Sequence, residues 1–290
     1  MIININGITM KKILVPTDFS EEASYAYGFA HQLAQKSKSD LSLMNVIEYP
    51  TGSSFNSMGI RGNHDPMENI YIMKLMEATK EKMEELVASK DFTGITADYK
   101  ITMGNPYRQI EEELGENPAD LIIMGSRGAT GAKETFLGSN AEKMIRNSSV
   151  PVLTLHASTD INDVKDIVFA SDFEEEDSEI ATHLSTLQEF FDAKLHLVKV
   201  NTPAYFAPTR YDKQRIEKFI EKYGLKNCTI NIYNDEQEEI GIRHFAQDID
   251  ADLIAMATHG RKGFGHLLLG SVAEDVANRT SKPVWTFKID

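Results

Sequence analysis

The sequence has a single cysteine, Cys228, among 290 residues, so no disulfide can form within the chain. A reducing cytoplasm is the expected setting. Long apolar runs are missing as well: stretches such as Leu121-Ile-Ile-Met124 have the length of a strand, not of a membrane span. The opening MIININGITM has neither a basic segment nor a long apolar one and does not read as a secretory signal; Met10-Lys11-Lys12 is the expected start of the first domain's core. Positive charge is in deficit, with 30 Lys and Arg against 44 Asp and Glu, a formal net charge of −14. Such a surface repels nucleic-acid phosphates and anionic membranes, which excludes both as expected partners. The Walker pattern G-x4-G-K-[ST] is absent, which argues against P-loop hydrolysis. The eight histidines show no metal-ligand spacing, and Asn63-His-Asp65 lies in a stretch too loop-like to read as a metal site.

What the chain has is an internal repeat. Ile13-Leu-Val-Pro-Thr-Asp-Phe19 matches Ile167-Val-Phe-Ala-Ser-Asp-Phe173. Ala119-Asp-Leu-Ile-Ile-Met-Gly-Ser-Arg-Gly128 matches Ala251-Asp-Leu-Ile-Ala-Met-Ala-Thr-His-Gly260, and Ser149-Val-Pro-Val152 matches Ser281-Lys-Pro-Val284. Three matches in one order mean duplication. The offset between copies falls from 154 at Asp18/Asp172 to 132 at Gly128/Gly260, so the first copy carries 22 extra residues. They are expected near Thr51–Met67, a stretch rich in Gly, Ser, Asn and Pro. Each copy alternates five strand-length apolar runs with amphipathic segments, which predicts an α/β fold: a parallel sheet with helices on both faces. The expected domains are 1–157 (core from about 10) and 164–290, joined by a polar linker.

Ligands of open α/β sheets bind at the carboxyl ends of the strands. Two features converge there in copy one. Asp18 follows the first strand. After the fourth strand comes Gly125-Ser-Arg-Gly128, nine residues, then Gly138-Ser139-Asn140 at the start of a helix. Glycines allow close backbone approach, and a helix N-terminus offers free N–H groups to an anion. Plainer roles stand beside these. The glycines serve equally as turn residues, Asp18 and Asp172 as helix caps, and Cys228 as a small core residue. His259 and His266 are read as solvated, Glu174–Asp177 as an exposed helix start, and Met67, Met73, Met76 and Met83 as core or interface residues.

Val15-Pro-Thr-Asp-Phe-Ser20, the Ala-Asp entry to the fourth strand, the G-x2-G-x9-G-S loop and Val150-Pro-Val152 together resemble the universal stress protein family in its tandem-domain form, over nearly the whole chain. The resemblance implies two flavodoxin-like (adenine nucleotide α-hydrolase-like) domains with five strands in the order 3-2-1-4-5, paired through their fifth strands as a pseudo-dimer, with a homodimer as a further possibility. In one subclass it implies ATP, with Mg²⁺ accompanying the phosphates. By that resemblance Asp18 and the backbone of Val46 hold adenine or ribose, with Pro16 and Met124 beside them. Gly125, Arg127, Gly128, Gly138, Ser139 and Asn140 hold ribose and phosphates. A second site would use Asp172, Gly260, Gly270 and Ser271, but Ala257 stands where Gly125 does and Ala170 where Pro16 does. The methyl of Ala257 is harmless at negative φ and costs roughly 1 kcal/mol at positive φ. The expectation is a stress-response regulatory protein that binds ATP in copy one without being an enzyme. The rivals are a nucleotide-free interaction module and a weak nucleotide hydrolase.

Overall fold

The computed structural model describes residues 10–48, 66–90, 92–127, 137–173, 178–259 and 269–289. In copy one the elements run β1 (Lys12–Pro16), α1 (Glu21–Ser37), β2 (Asp40–Ile47), α2 (Pro66–Ala88), β3 (Ala97–Met103), α3 (Pro106–Glu116), β4 (Leu121–Gly125), α4 (Ser139–Asn147) and β5 (Val152–Leu155). A short 3-10 turn, Ile161–Asp163, leads into copy two. That copy has β6 (Asp166–Ala170), α5 (Ser178–Phe191), β7 (Lys194–Asn201), α6 (Thr209–Tyr223), β8 (Cys228–Asn234), α7 (Glu238–Asp248), β9 (Leu253–His259), α8 (Leu269–Arg279) and β10 (Val284–Ile289).

The ten strands form one sheet in the order β3-β2-β1-β4-β5-β10-β9-β6-β7-β8. Each copy has the order 3-2-1-4-5, parallel throughout, and the copies meet where β5 and β10 pair antiparallel, with Trp285 opposite Leu153. Strands buried on both faces need apolar side chains at every position, and Ile13, Leu14 and Val15 of β1 are each 1% exposed or less. One core lies between the sheet and α1, α2, α5 and α6, and a second between the sheet and α3, α4, α7 and α8; each draws on both copies. Phe29 of α1 and Phe191 of α5 meet across the two-fold at a ring separation of 6.4 Å.

Local chemistry sets the helix ends. Ser20 caps α1, accepting from the Ala23 N–H, with Glu21 and Glu22 in the first turn where the helix dipole favours acids. Asn105 caps α3 by accepting from the Arg108 N–H, and Pro106 follows at the first helical position. Gly224, at φ +63°, ends α6. The extra length of copy one is not loop alone: α2 has 23 residues where α6 has 15, so eight of the additional residues are helical. The remainder of the expected loop, and the acidic run 174–177, lie outside the described residues. Met83 is core, whereas Met67, Met73 and Met76 are exposed.

Candidate functional site

A cavity of about 240 Å³ opens at the carboxyl ends of β1, β2 and β4, where the strand order reverses. Its lining includes Pro16, Asp18, Val46, Met124, Gly125, Arg127, Gly138, Ser139 and Asn140, nine of the ten residues singled out in copy one. Gly128, the tenth, lies outside the described residues. Thr17, Met44, Glu48 and Ile110 complete much of the wall. They carried no motif, because strand-end positions are identified by register and not by residue type. Glu48 adds a carboxylate able to accept from sugar hydroxyls.

Asp18 reaches its place through a tight turn. Its Oδ1 accepts from the Ser20 N–H at 3.0 Å, while the helix cap is Ser20 itself, which settles the capping alternative against Asp18. Phe19, between them, has φ +62°, and Phe173 in copy two has φ +54°. A bulky residue in the left-handed region carries strain of roughly 1–3 kcal/mol, and here the same strain recurs at the same point of both copies.

The far end of the cavity is the start of α4. Gly138 occupies the cap position, with no side-chain cap, and its own N–H donates to the Ser126 carbonyl at 2.7 Å. The N–H groups of Ser139, Asn140 and Ala141 have no acceptor among the described residues, which leaves at the cavity a helix terminus of the kind that suits an anion. Arg127 supplies a cation there, with Nε 3.4 Å from Glu22 Oε1. Gly125 proves to be a packing residue. A Cβ on it would lie 2.7 Å from the Glu22 carbonyl carbon and 2.8 Å from the Ala23 nitrogen, so its hydrogen lets α1 seat against β4.

Ser126 ties both ends of the loop together. Its N–H donates to the Leu155 carbonyl at 2.9 Å, its carbonyl accepts from Gly138, and its Oγ lies 2.8 Å from His156 Nδ1. His156 Nε2 in turn donates to the Ala277 carbonyl of α8 at 2.7 Å, and the Leu137 N–H donates to Asn278 Oδ1 of the same helix. Burial of the His156 ring holds its pKa below the ordinary histidine value. Helix α8 of copy two thus anchors both ends of the loop in copy one.

In copy two a larger cavity of about 340 Å³ takes the equivalent place, with Asp172 in its wall. Gly260 and His266 lie outside the described residues. Gly270 and Ser271 fall in the first turn of α8, which begins at Leu269; Gly270 is therefore inside its helix where Gly138 caps α4. Ala257 is not among the positive-φ residues, so its methyl carries no backbone strain. Among the described residues no group of three or more His, Cys, Asp or Glu could hold a metal ion, and no helix is long and apolar enough to cross a membrane.

Comparison with known proteins agrees with the duplicated fold. The model of the universal stress protein family matches residues 9–156 and again 163–288. The universal stress protein Slr1230 of Synechocystis is 28% identical over 301 residues, covering 96% of this chain and all of that protein. The universal stress protein MJ0577 of Methanocaldococcus jannaschii is 33% identical over 156 residues, 51% of this chain and 96% of its own length. Among solved structures, a universal stress protein from Archaeoglobus fulgidus superposes with a TM-score of 0.72 at 21% identity, covering 96% of this chain and 98% of that one. With two family domains that together span nearly its whole length, this chain belongs to the universal stress protein family in tandem form.

Proposed function

We propose that the chain is a stress-response regulatory protein that binds ATP in the cavity of copy one. One observation carries the reading: a single cavity gathers Asp18 and Val46 at one side and the uncapped start of α4, with Arg127, at the other. The apolar wall of Met44, Met124 and Ile110 suits a flat base, and Asp18 and Glu48 suit sugar hydroxyls. Free N–H groups at Ser139 and Asn140 suit phosphates, which would bring Mg²⁺ with them as counter-ion. The role is binding rather than turnover, in a cytoplasmic protein.

The test is thermal. For nucleotide-stripped protein, Mg-ATP at a hundredfold excess over Kd adds about 2.7 kcal/mol of stability, a rise of several degrees in Tm. Gly138→Val should abolish the rise, because the new side chain narrows the approach to the helix N-terminus. No rise in the unaltered protein at millimolar Mg-ATP would contradict the reading. Phosphate release during the same incubation would favour a hydrolase.

A second reading, a protein-interaction module, has its own observation. Helix α2 exposes Met67, Ile70, Tyr71 and Met73, each at least 50% accessible. A row of large apolar side chains left in water marks a contact surface. The two readings are compatible, since α2 lies outside the lining of the cavity.

A further inference from the structure

Lys199 of β7 occupies the position that Asn45 has in β2, since the preceding residues, Val198 and Met44, are the register partners of Ala170 and Pro16. Asn45 is satisfied where it stands, its Nδ2 donating to the Thr17 carbonyl at 2.8 Å. Lys199 is not. It is 8% exposed, lines the 340 Å³ cavity of copy two, and its side chain makes no hydrogen bond or ion pair with any described residue. Its ammonium has no counter-charge among the described residues, and the cavity it lines is the space from which an anion can reach it. The two acids of the lining, Asp172 and Glu238, have interactions elsewhere and do not pair with Lys199. Arg215 of α6 adds a second cation to the wall.

The rest of the cavity differs from its counterpart in the same direction. Val272 stands where Asn140 opens α4, so an aliphatic side chain replaces a polar one at the helix start. Val198, Val200, Ile242 and Met256 extend an apolar floor, each 5% exposed or less. Tyr205 and Phe206, between β7 and α6, line the mouth while 42% and 71% exposed. Among the described residues the cations of this wall, Lys199 and Arg215, stand on the β7–α6 side, and two aromatic rings line the same side.

We propose that the cavity of copy two is a site for a small aromatic carboxylate and not for a nucleotide. The carboxylate pairs with Lys199, the ring lies on the apolar floor, and Phe206 covers it, giving an offset-stacked or edge-on aromatic contact. The inference is independent of what copy one binds.

Ligand-observed NMR titration of the full chain with 2-naphthoate, and in parallel with the neutral 2-naphthamide, tests it. Naphthoate should bind at one site per chain and at least tenfold more tightly than the amide. Lys199→Met, which keeps the aliphatic stem, should erase that preference. Phe206→Ala, at an exposed position that cannot unfold the protein, should weaken naphthoate severalfold. Gly138→Val in copy one should leave naphthoate binding unchanged. The proposal is overturned by absence of binding at millimolar naphthoate, by a preference that survives Lys199→Met, or by competitive displacement of naphthoate by Mg-ATP in the Gly138→Val chain.

Discussion

Gly125 and Ala257 occupy matching positions, yet only one of them can be explained by its neighbours. A side chain at Gly125 meets the backbone of Glu22 and Ala23, which cannot move without shifting α1. Gly125→Ala should therefore destabilise the protein by about 1–3 kcal/mol, read from chemical denaturation, although copy two carries alanine natively. Wild-type stability in that variant would refute the packing account. The sequence marks this glycine through its loop spacing, but the reason for it is a tertiary contact that no spacing reveals. Lys199 passed unnoticed for the opposite reason: one lysine within Leu-His-Leu-Val-Lys-Val reads as the solvent face of a strand until the cavity beside it is known. Cys228 is simpler. Burial pushes its thiol up to about 11, so it stays protonated at neutral pH, and iodoacetamide at pH 7.5 should alkylate it more slowly than a free cysteine. Alkylation at the free-cysteine rate would contradict that assignment.

Between elements, the contact that matters to the site is the one from α8 to the loop before α4. Asn278 accepts from the Leu137 N–H just ahead of the start of α4, and a hydrogen bond of this kind contributes about 0.5–1.5 kcal/mol. On the proposed function, Asn278→Ala should weaken ATP binding roughly 2–10-fold, from 141 residues away in sequence. Unaltered affinity would mean that α8 plays no part in holding the loop. His156 gives the same link a pH dependence. Its pKa is lowered in the folded state, so the unfolded chain takes up the proton more readily. Stability is then full above the ordinary histidine value of about 6.5 and falls as the pH drops below it. His156→Gln should flatten this part of the pH–stability profile, and an unchanged profile would exclude His156 as its source. The strands, the Ser20 cap and the start of α4 were legible from apolar runs and capping residues, because these depend on neighbours in sequence. So was α2: the helix expected near Glu68–Ser89 is observed as Pro66–Ala88, although its first turns carry Met67, Ile70, Tyr71 and Met73 at exposed positions.

At the scale of the molecule, the two copies share one sheet and both cores. The buried contact of Phe29 on Phe191 and the bidentate Arg146–Glu274 pair join helices of different copies. Denaturant should unfold the whole chain in one transition, and Phe191→Ala, costing about 3–5 kcal/mol, should lower the single midpoint without splitting it. Two separated transitions would show that the copies are independent domains. The repeat made the shared architecture readable in advance. The divergence of the two cavities was not, because it rests on Lys199, Val272 and Tyr205–Phe206, which follow no motif. The central claim is that one copy alone takes the nucleotide, and its most direct measurement is a calorimetric titration of nucleotide-stripped protein with Mg-ATP. The account predicts one site per chain, lost in Gly138→Val; two sites per chain, or one that persists in that variant, would contradict it.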